Sequence, residues 1–95
     1  MRRSASWMTI WDDRILETLR NEGPLSVGEL ADFDHVRVSR AHVGRRCQRL
    51  SKYGLLDAFA NGVYSITEEG EKYLDGEVDA GELEDLTESK NGVQA

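Results

Sequence analysis

One cysteine stands among the 95 residues of this chain, so no intrachain disulfide can brace it, and a reducing cytoplasm is the expected setting. Proline also occurs once, as Pro24 directly after Gly23, where the pair punctuates the chain. No apolar run approaches the roughly 20 residues that a membrane span requires. The opening "MRRSASWMTIWDDR" has too few apolar residues before Asp12 and Asp13 for a signal-peptide core. The chain lacks a plausible Ser/His/Asp set and a glycine-rich phosphate loop between strand and helix, so no enzyme, cofactor or small-molecule ligand is expected. His35, His42 and Cys47 lack CxxC or HxxxH spacing and a clear fourth ligand, so no metal site is expected. The most informative absence is local: between His35 and Leu56 there is no Asp or Glu.

Against that gap stands a net charge of -6 for the whole chain. The acid-free stretch holds Arg37, Arg40, Arg45, Arg46, Arg49 and Lys52, half of the 12 Lys and Arg residues. Acids gather instead between Glu68 and Glu88, where Lys72 is the one base. Arginine outnumbers lysine. An acidic surface with little lysine suits a very salty cytoplasm, and the plainer alternative is an acidic tail on an ordinary protein.

Periodicity divides the chain into a short arm (1–8), one domain (9–75) and an acidic tail (76–95), partly disordered. So small a core is marginal and favours oligomerisation. Thr9 with Asp12 reads as a capping box, and Trp11, Ile15, Leu16 and Leu19 follow at helical spacing, predicting a helix over Ile10–Glu22. Ser26 and Glu29 form a second box, with Leu25 and Leu30 as a hydrophobic staple, for a helix reaching Phe33. Ser39 caps a third helix that ends near Tyr53, with Gly54 at its C-cap.

The period then changes from helix to strand. "LLDAFA" and "VYSI" flank Asn61-Gly62, which predicts a hairpin with a two-residue type I′ turn. In that register Phe59 faces Tyr64, and Asp57 falls beside Ile66, where an inner face would require a partner such as Arg46 or Arg49. Thr67 caps a short fourth helix, "EEGEKYL", and Ala80 to Leu86 carries a weak helical tendency. The fold class expected is mainly α with a small β-hairpin: a winged helix-turn-helix, built as a three-helix bundle plus wing and a short fourth helix.

A surface that meets duplex DNA, with one negative charge per about 1.7 Å of axis, must be free of carboxylates. At 100° per residue, Val43, Cys47 and Leu50 form the buried stripe of the third helix, and Ala41, Arg45, Gln48 and Lys52 lie opposite. Arg40, Ala41, His42 and Arg45 are the expected readers of base edges in the major groove. Arg37, Ser39, Arg49 and Lys52 are expected on phosphates, with Gln48 on the same face and Asn61 at a wing tip that carries no base. Arg46, nearer the core, is expected to pair with a carboxylate. Double-stranded DNA is thus the partner expected. The alternative reading is a protein-interaction module whose basic face docks an acidic partner. Trp7, Met8, Ile10 and Trp11 form a dense apolar group that either covers the core or contributes to a homodimer interface.

The strings "WMTIWDDRILETLRNEGPLSVGELA", "VGRRCQRLSKYGLL" and "GVYSITEEGEKYLDGEVDAGELE" resemble small winged-helix proteins of haloarchaea and their viruses, the phage phi-H repressor-like family, over residues 7–86. That resemblance implies a transcriptional repressor or regulator that binds operator DNA through the third helix, carried here by Arg40, His42, Arg45, Gln48 and Arg49. It also implies adaptation to molar salt. Salt weakens charge-driven binding by about 10³–10⁵ between 50 and 200 mM for six to ten phosphate contacts. A sequence-specific dimer on a near-palindromic site, with poor non-specific affinity, is therefore expected.

Overall fold

Ser26, Ser39 and Thr67 each stand at the head of a helix in the computed structural model, which describes residues 1–86. The elements run α1 (Ile10–Glu22), β1 (Leu25–Ser26), α2 (Val27–Ala31), α3 (Arg40–Lys52), β2 (Leu56–Ala58), β3 (Val63–Ile66) and α4 (Glu68–Leu74). The capping follows the polar residues picked out in the sequence. Ser26 Oγ accepts from the Glu29 N–H while Glu29 Oε1 accepts from the Ser26 N–H, a complete reciprocal box. Ser39 Oγ accepts from the His42 N–H, and Thr67 Oγ1 from that of Gly70. Asp12 Oδ2 reaches back to the Thr9 N–H at 2.8 Å and so closes the first turn of α1.

Helix α1 sends Ile15, Leu16 and Leu19 inward, α3 sends Val43, Cys47 and Leu50, and Leu30, Leu55, Leu56 and Tyr73 complete the core. Helix α4 closes over it through Gly70, because a Cβ there would collide with the Leu55 carbonyl and lie 2.7 Å from Ile66 Cγ1. Helix α2 ends at Ala31 rather than Phe33, and Asp32 caps it. Such end shifts are common where the last turn frays. The link from α2 to α3 is tied to α1. Thr18 Oγ1 donates to the Arg14 carbonyl (2.7 Å), so it accepts from His35 Nε2 (2.6 Å).

The wing differs from the two-residue turn expected. Its register pairs Leu56 with Ile66, Asp57 with Ser65 and Ala58 with Tyr64, one residue away from the predicted Phe59–Tyr64 alignment. Phe59 N–H donates to the Val63 carbonyl, and Ala60, Asn61 and Gly62 form a three-residue loop. Asn61 and Gly62 both still take positive φ, 63° and 70°. Strand side chains alternate faces, so a one-residue shift inverts the whole set. The observed register turns Leu56 and Tyr64 inward and leaves Asp57 exposed, which removes any need for Arg46 or Arg49 to neutralise it. Phe59 is exposed instead of paired with Tyr64.

Strand β1 was not legible in the sequence. It pairs with β3, Leu25 opposite Tyr64 and Ser26 opposite Val63, giving a three-stranded antiparallel sheet in the order β1-β3-β2.

Residues 1–8 are docked rather than loose. Arg2 donates through Nε to the Leu74 carbonyl and through Nη1 to Glu17 (2.6 Å), with Asp13 at 3.6 Å. Tyr73 OH donates to Asp13 Oδ1 and accepts from Ser4 Oγ, and Ala5 is buried. The Ala80 N–H donates to the Arg3 carbonyl, so the first part of the acidic segment is held too, with Ala80 itself buried. The weak helical tendency over Ala80–Leu86 appears as a short 3-10 turn at Ala80–Glu82. The rest of the expected tail, 87–95, lies outside the described residues.

Candidate nucleic-acid interface

Helix α3 rolls so that its stripe of Val43, Cys47 and Leu50 is fully buried. Geometry then requires the row at Ala41, Arg45, Gln48 and Lys52 to face out, and all four are exposed. Arg40 and Arg49 are exposed beside that row, and Arg37 is exposed on the link that leads into the helix. Ser39 is occupied in capping. His42 is half-buried, and its Nε2 is enclosed without a hydrogen-bond partner among the described residues. Asn61 stands exposed at the wing tip, where its positive φ also serves the loop.

The six bases of the acid-free segment divide by partner. Arg46 lies against the core and donates through Nε and Nη2 to the two carboxylate oxygens of Asp12, at 2.8 and 2.7 Å. Asp12 has no solvent exposure, and its hydrogen bonds hold the Arg46 guanidinium above its ordinary pKa. Arg37, Arg40, Arg45, Arg49 and Lys52 form no ion pair among the described residues. Elsewhere Arg2 pairs with Asp13 and Glu17, Arg20 with Asp75, and Lys72 with Glu68 and Glu69, whereas Arg3 and Arg14 form no ion pair among the described residues. The outward row of α3 itself therefore carries positive charge that no carboxylate among the described residues neutralises.

Two features of this face were not visible in the sequence. Gly28 of α2 lies under the Arg40 guanidinium, whose Cζ is 3.3 Å from where a Cβ would stand. Trp7 stacks on Tyr53 with ring centroids 4.5 Å apart and an interplanar angle of 23°. The Arg49 guanidinium sits 5.4 Å from the same indole and that of Arg46 5.9 Å. The aromatic cluster at the N-terminus was a visible signal, but its partners on α3 were not. Met8 packs against the core as Trp7 does.

Among the described residues no group of three potential metal ligands comes together, and no helix is long and apolar enough to cross a membrane. The Cys47 thiol is pushed up to about 12, first by burial and then by the charge of Asp12. Nucleophilic chemistry at neutral pH therefore has no thiolate here.

Comparison with known proteins gives a consistent set of matches. The family described as winged helix-turn-helix phage repressor matches residues 1–86. The repressor protein of Halobacterium phage phiH is 38% identical over 90 residues, which covers 88% of this chain and 98% of that protein. The crystal structure of the PhiH1 repressor-like protein from Haloarcula marismortui superposes with a TM-score of 0.86 at 58% identity, covering 87% of this chain and 94% of that one. Bordetella bronchiseptica BpsR shares the fold at a TM-score of 0.66 and 22% identity, over 92% of this chain and 63% of its own.

Proposed function

The chain belongs to the winged helix-turn-helix phage repressor family, and from that footing we propose that it is a sequence-specific DNA-binding transcriptional repressor that lays α3 in the major groove. One observation carries the reading. Of the six bases in the acid-free segment, only the one facing the core is paired with a carboxylate among the described residues. The other five are exposed, and a surface built merely for solubility would interleave them with acids.

In this reading Arg40, Ala41, His42 and Arg45 approach base edges from the first half of α3. Arginine can pair bidentately with guanine, and Ala41 can contact a thymine methyl. Arg37, Ser39, Arg49 and Lys52 meet phosphates, Gln48 lies on the same face, and Asn61 adds a contact from the wing. For His42 to reach a base its ring must turn, which would also give its enclosed Nε2 a partner. The repressor works by occupying DNA and needs no chemistry of its own.

The protein acts in the cytoplasm, as a homodimer on a near-palindromic site, in high salt. Support for the salty setting comes from the acidic, lysine-poor composition and from relatives in Halobacterium phage phiH and Haloarcula marismortui. Support for the dimer comes from Ile10, more than half exposed beside the Trp7–Met8 group, and from the avidity that molar salt demands. The test is fluorescence anisotropy with random duplex DNA and with fragments selected from the native genome, across a potassium chloride series. Tight binding to a subset of fragments that persists at molar salt is the expected result. No binding to any duplex at any salt would overturn the proposal.

A further inference from the structure

The apolar cluster at the N-terminus is only partly used by the core. Trp7 is half-buried, and one face of its indole is taken by Tyr53, the residue that caps α3. Its backbone is fixed as well: the Trp7 carbonyl accepts a hydrogen bond from Arg46 Nη2 at 3.0 Å. Arg46 is itself locked by its two bonds to the buried Asp12. The indole is therefore held by its ring and its backbone at once. Arg49 is the opposite kind of group. It is exposed, has no carboxylate partner among the described residues, and rests with its guanidinium 5.4 Å from the indole.

A free arginine samples many rotamers, and a DNA contact must select one of them, at a cost in entropy. An aromatic face removes part of that cost beforehand. It attracts the guanidinium through the ring quadrupole while leaving every N–H free to donate. A carboxylate would hold the side chain too, but would occupy the donors and cancel the charge that phosphate needs. Cation–π contact also needs no second charge on a face that excludes acids. The paired arginine thus fixes the platform, and the unpaired one uses it.

We propose that Trp7 is a positioning residue for DNA binding, which holds the Arg49 guanidinium in a pre-oriented state for a backbone phosphate. The inference rests on the DNA-binding reading above. Its scope is wider than packing, because it assigns a role in affinity to a residue outside the helix-turn-helix.

The test uses the full chain and a duplex selected from the native genome. Affinity is measured for the unaltered protein, Trp7→Leu, Trp7→Phe, Arg49→Ala and the Trp7→Leu/Arg49→Ala double variant, with thermal melts alongside. Leucine keeps apolar cover over the core and removes the quadrupole, whereas phenylalanine keeps both in reduced form. Trp7→Leu should bind about two- to fivefold more weakly than the unaltered chain, as a contact at an exposed site implies. Trp7→Phe should recover most of that loss. In the Arg49→Ala background the Trp7→Leu change should cost nothing further, because the group it orients is gone. A Trp7→Leu variant that binds as well as the unaltered protein overturns the inference. So does an equal loss with and without Arg49, which would reduce Trp7 to a packing role. No binding by the unaltered chain would overturn the DNA reading and this inference together.

Discussion

Arg46 of α3 and Asp12 of α1 form a two-pronged ion pair, at 2.8 and 2.7 Å, in which the carboxylate has no access to solvent. The same Asp12 oxygen that accepts from Arg46 Nη2 also accepts from the Thr9 N–H. One side chain thus starts α1 and fixes the roll of α3, the helix that presents the positive face. Burying such a pair adds little net stability relative to an apolar pair, but breaking it leaves a charge stranded. Replacing Arg46 with Ala should therefore destabilise the domain by about 3 kcal/mol. Urea unfolding monitored by circular dichroism measures it, and a loss within experimental error of zero would refute the role.

Two exposed bases on α3 should respond differently to removal. Arg45→Ala should relax preference at one base pair and cost about 1–3 kcal/mol on the preferred site alone. Lys52→Ala should weaken all sequences alike and lower the salt slope by about one unit. Anisotropy titrations on the preferred duplex and on single-base variants separate the two outcomes. Equal effects of both changes on every duplex would show that the roles are misassigned.

Gly28→Ala should move stability and affinity in opposite directions. Alanine favours a helix by up to about 1 kcal/mol over glycine, so the melting temperature should hold or rise. Its Cβ would stand 3.3 Å from Arg40 Cζ, closer than a guanidinium rests comfortably, so the end of that flexible side chain must shift. Affinity for the preferred site should then fall while the fold is kept. A melting temperature that drops together with affinity would mean that Gly28 serves packing instead.

Alkaline pH should lower the stability of the domain, first through Cys47 and then through Tyr73. Burial raises the Cys47 thiol from 9.0 to about 12, and burial with a hydrogen bond to Asp13 raises the Tyr73 phenol from 10.0 to about 12. Both groups are held in their protonated, neutral forms. Their contribution is thus complete below pH 9 for the thiol and below pH 10 for the phenol, and is lost as pH climbs towards 12. Cys47→Ala should delay the onset of the decline to about pH 10, where the tyrosine begins to contribute. Stability measured by denaturant titration from pH 8 to 12 checks this, and identical profiles for the two proteins would contradict it.

Much of this architecture was legible from local patterns. Caps at Ser26, Ser39 and Thr67 are short-range chemistry, and the Val43, Cys47, Leu50 stripe is helical geometry. The same geometry placed Arg46 near the core and therefore beside a carboxylate, though not which carboxylate. The wing register was not legible, because Asn61-Gly62 serves a two-residue and a three-residue loop equally well. What decides between them is which face Asp57 would occupy, and that depends on a core assembled from other segments. Strand β1 has two residues, too few to show alternation. The contacts of Trp7 with Tyr53 and of Gly28 with Arg40 join separate elements, and no periodicity within one element reveals them.

Ser26 belongs to two structures at once: its hydroxyl caps α2, and its backbone lies opposite Val63 in the sheet. This dual membership sets the limits for anyone wishing to retarget the protein. Side chains along the outer row of α3 can be exchanged as separate modules, since none of them forms an ion pair among the described residues. The wing cannot be grafted from another scaffold in the same way, because cutting at β3 also cuts the support on which α2 begins.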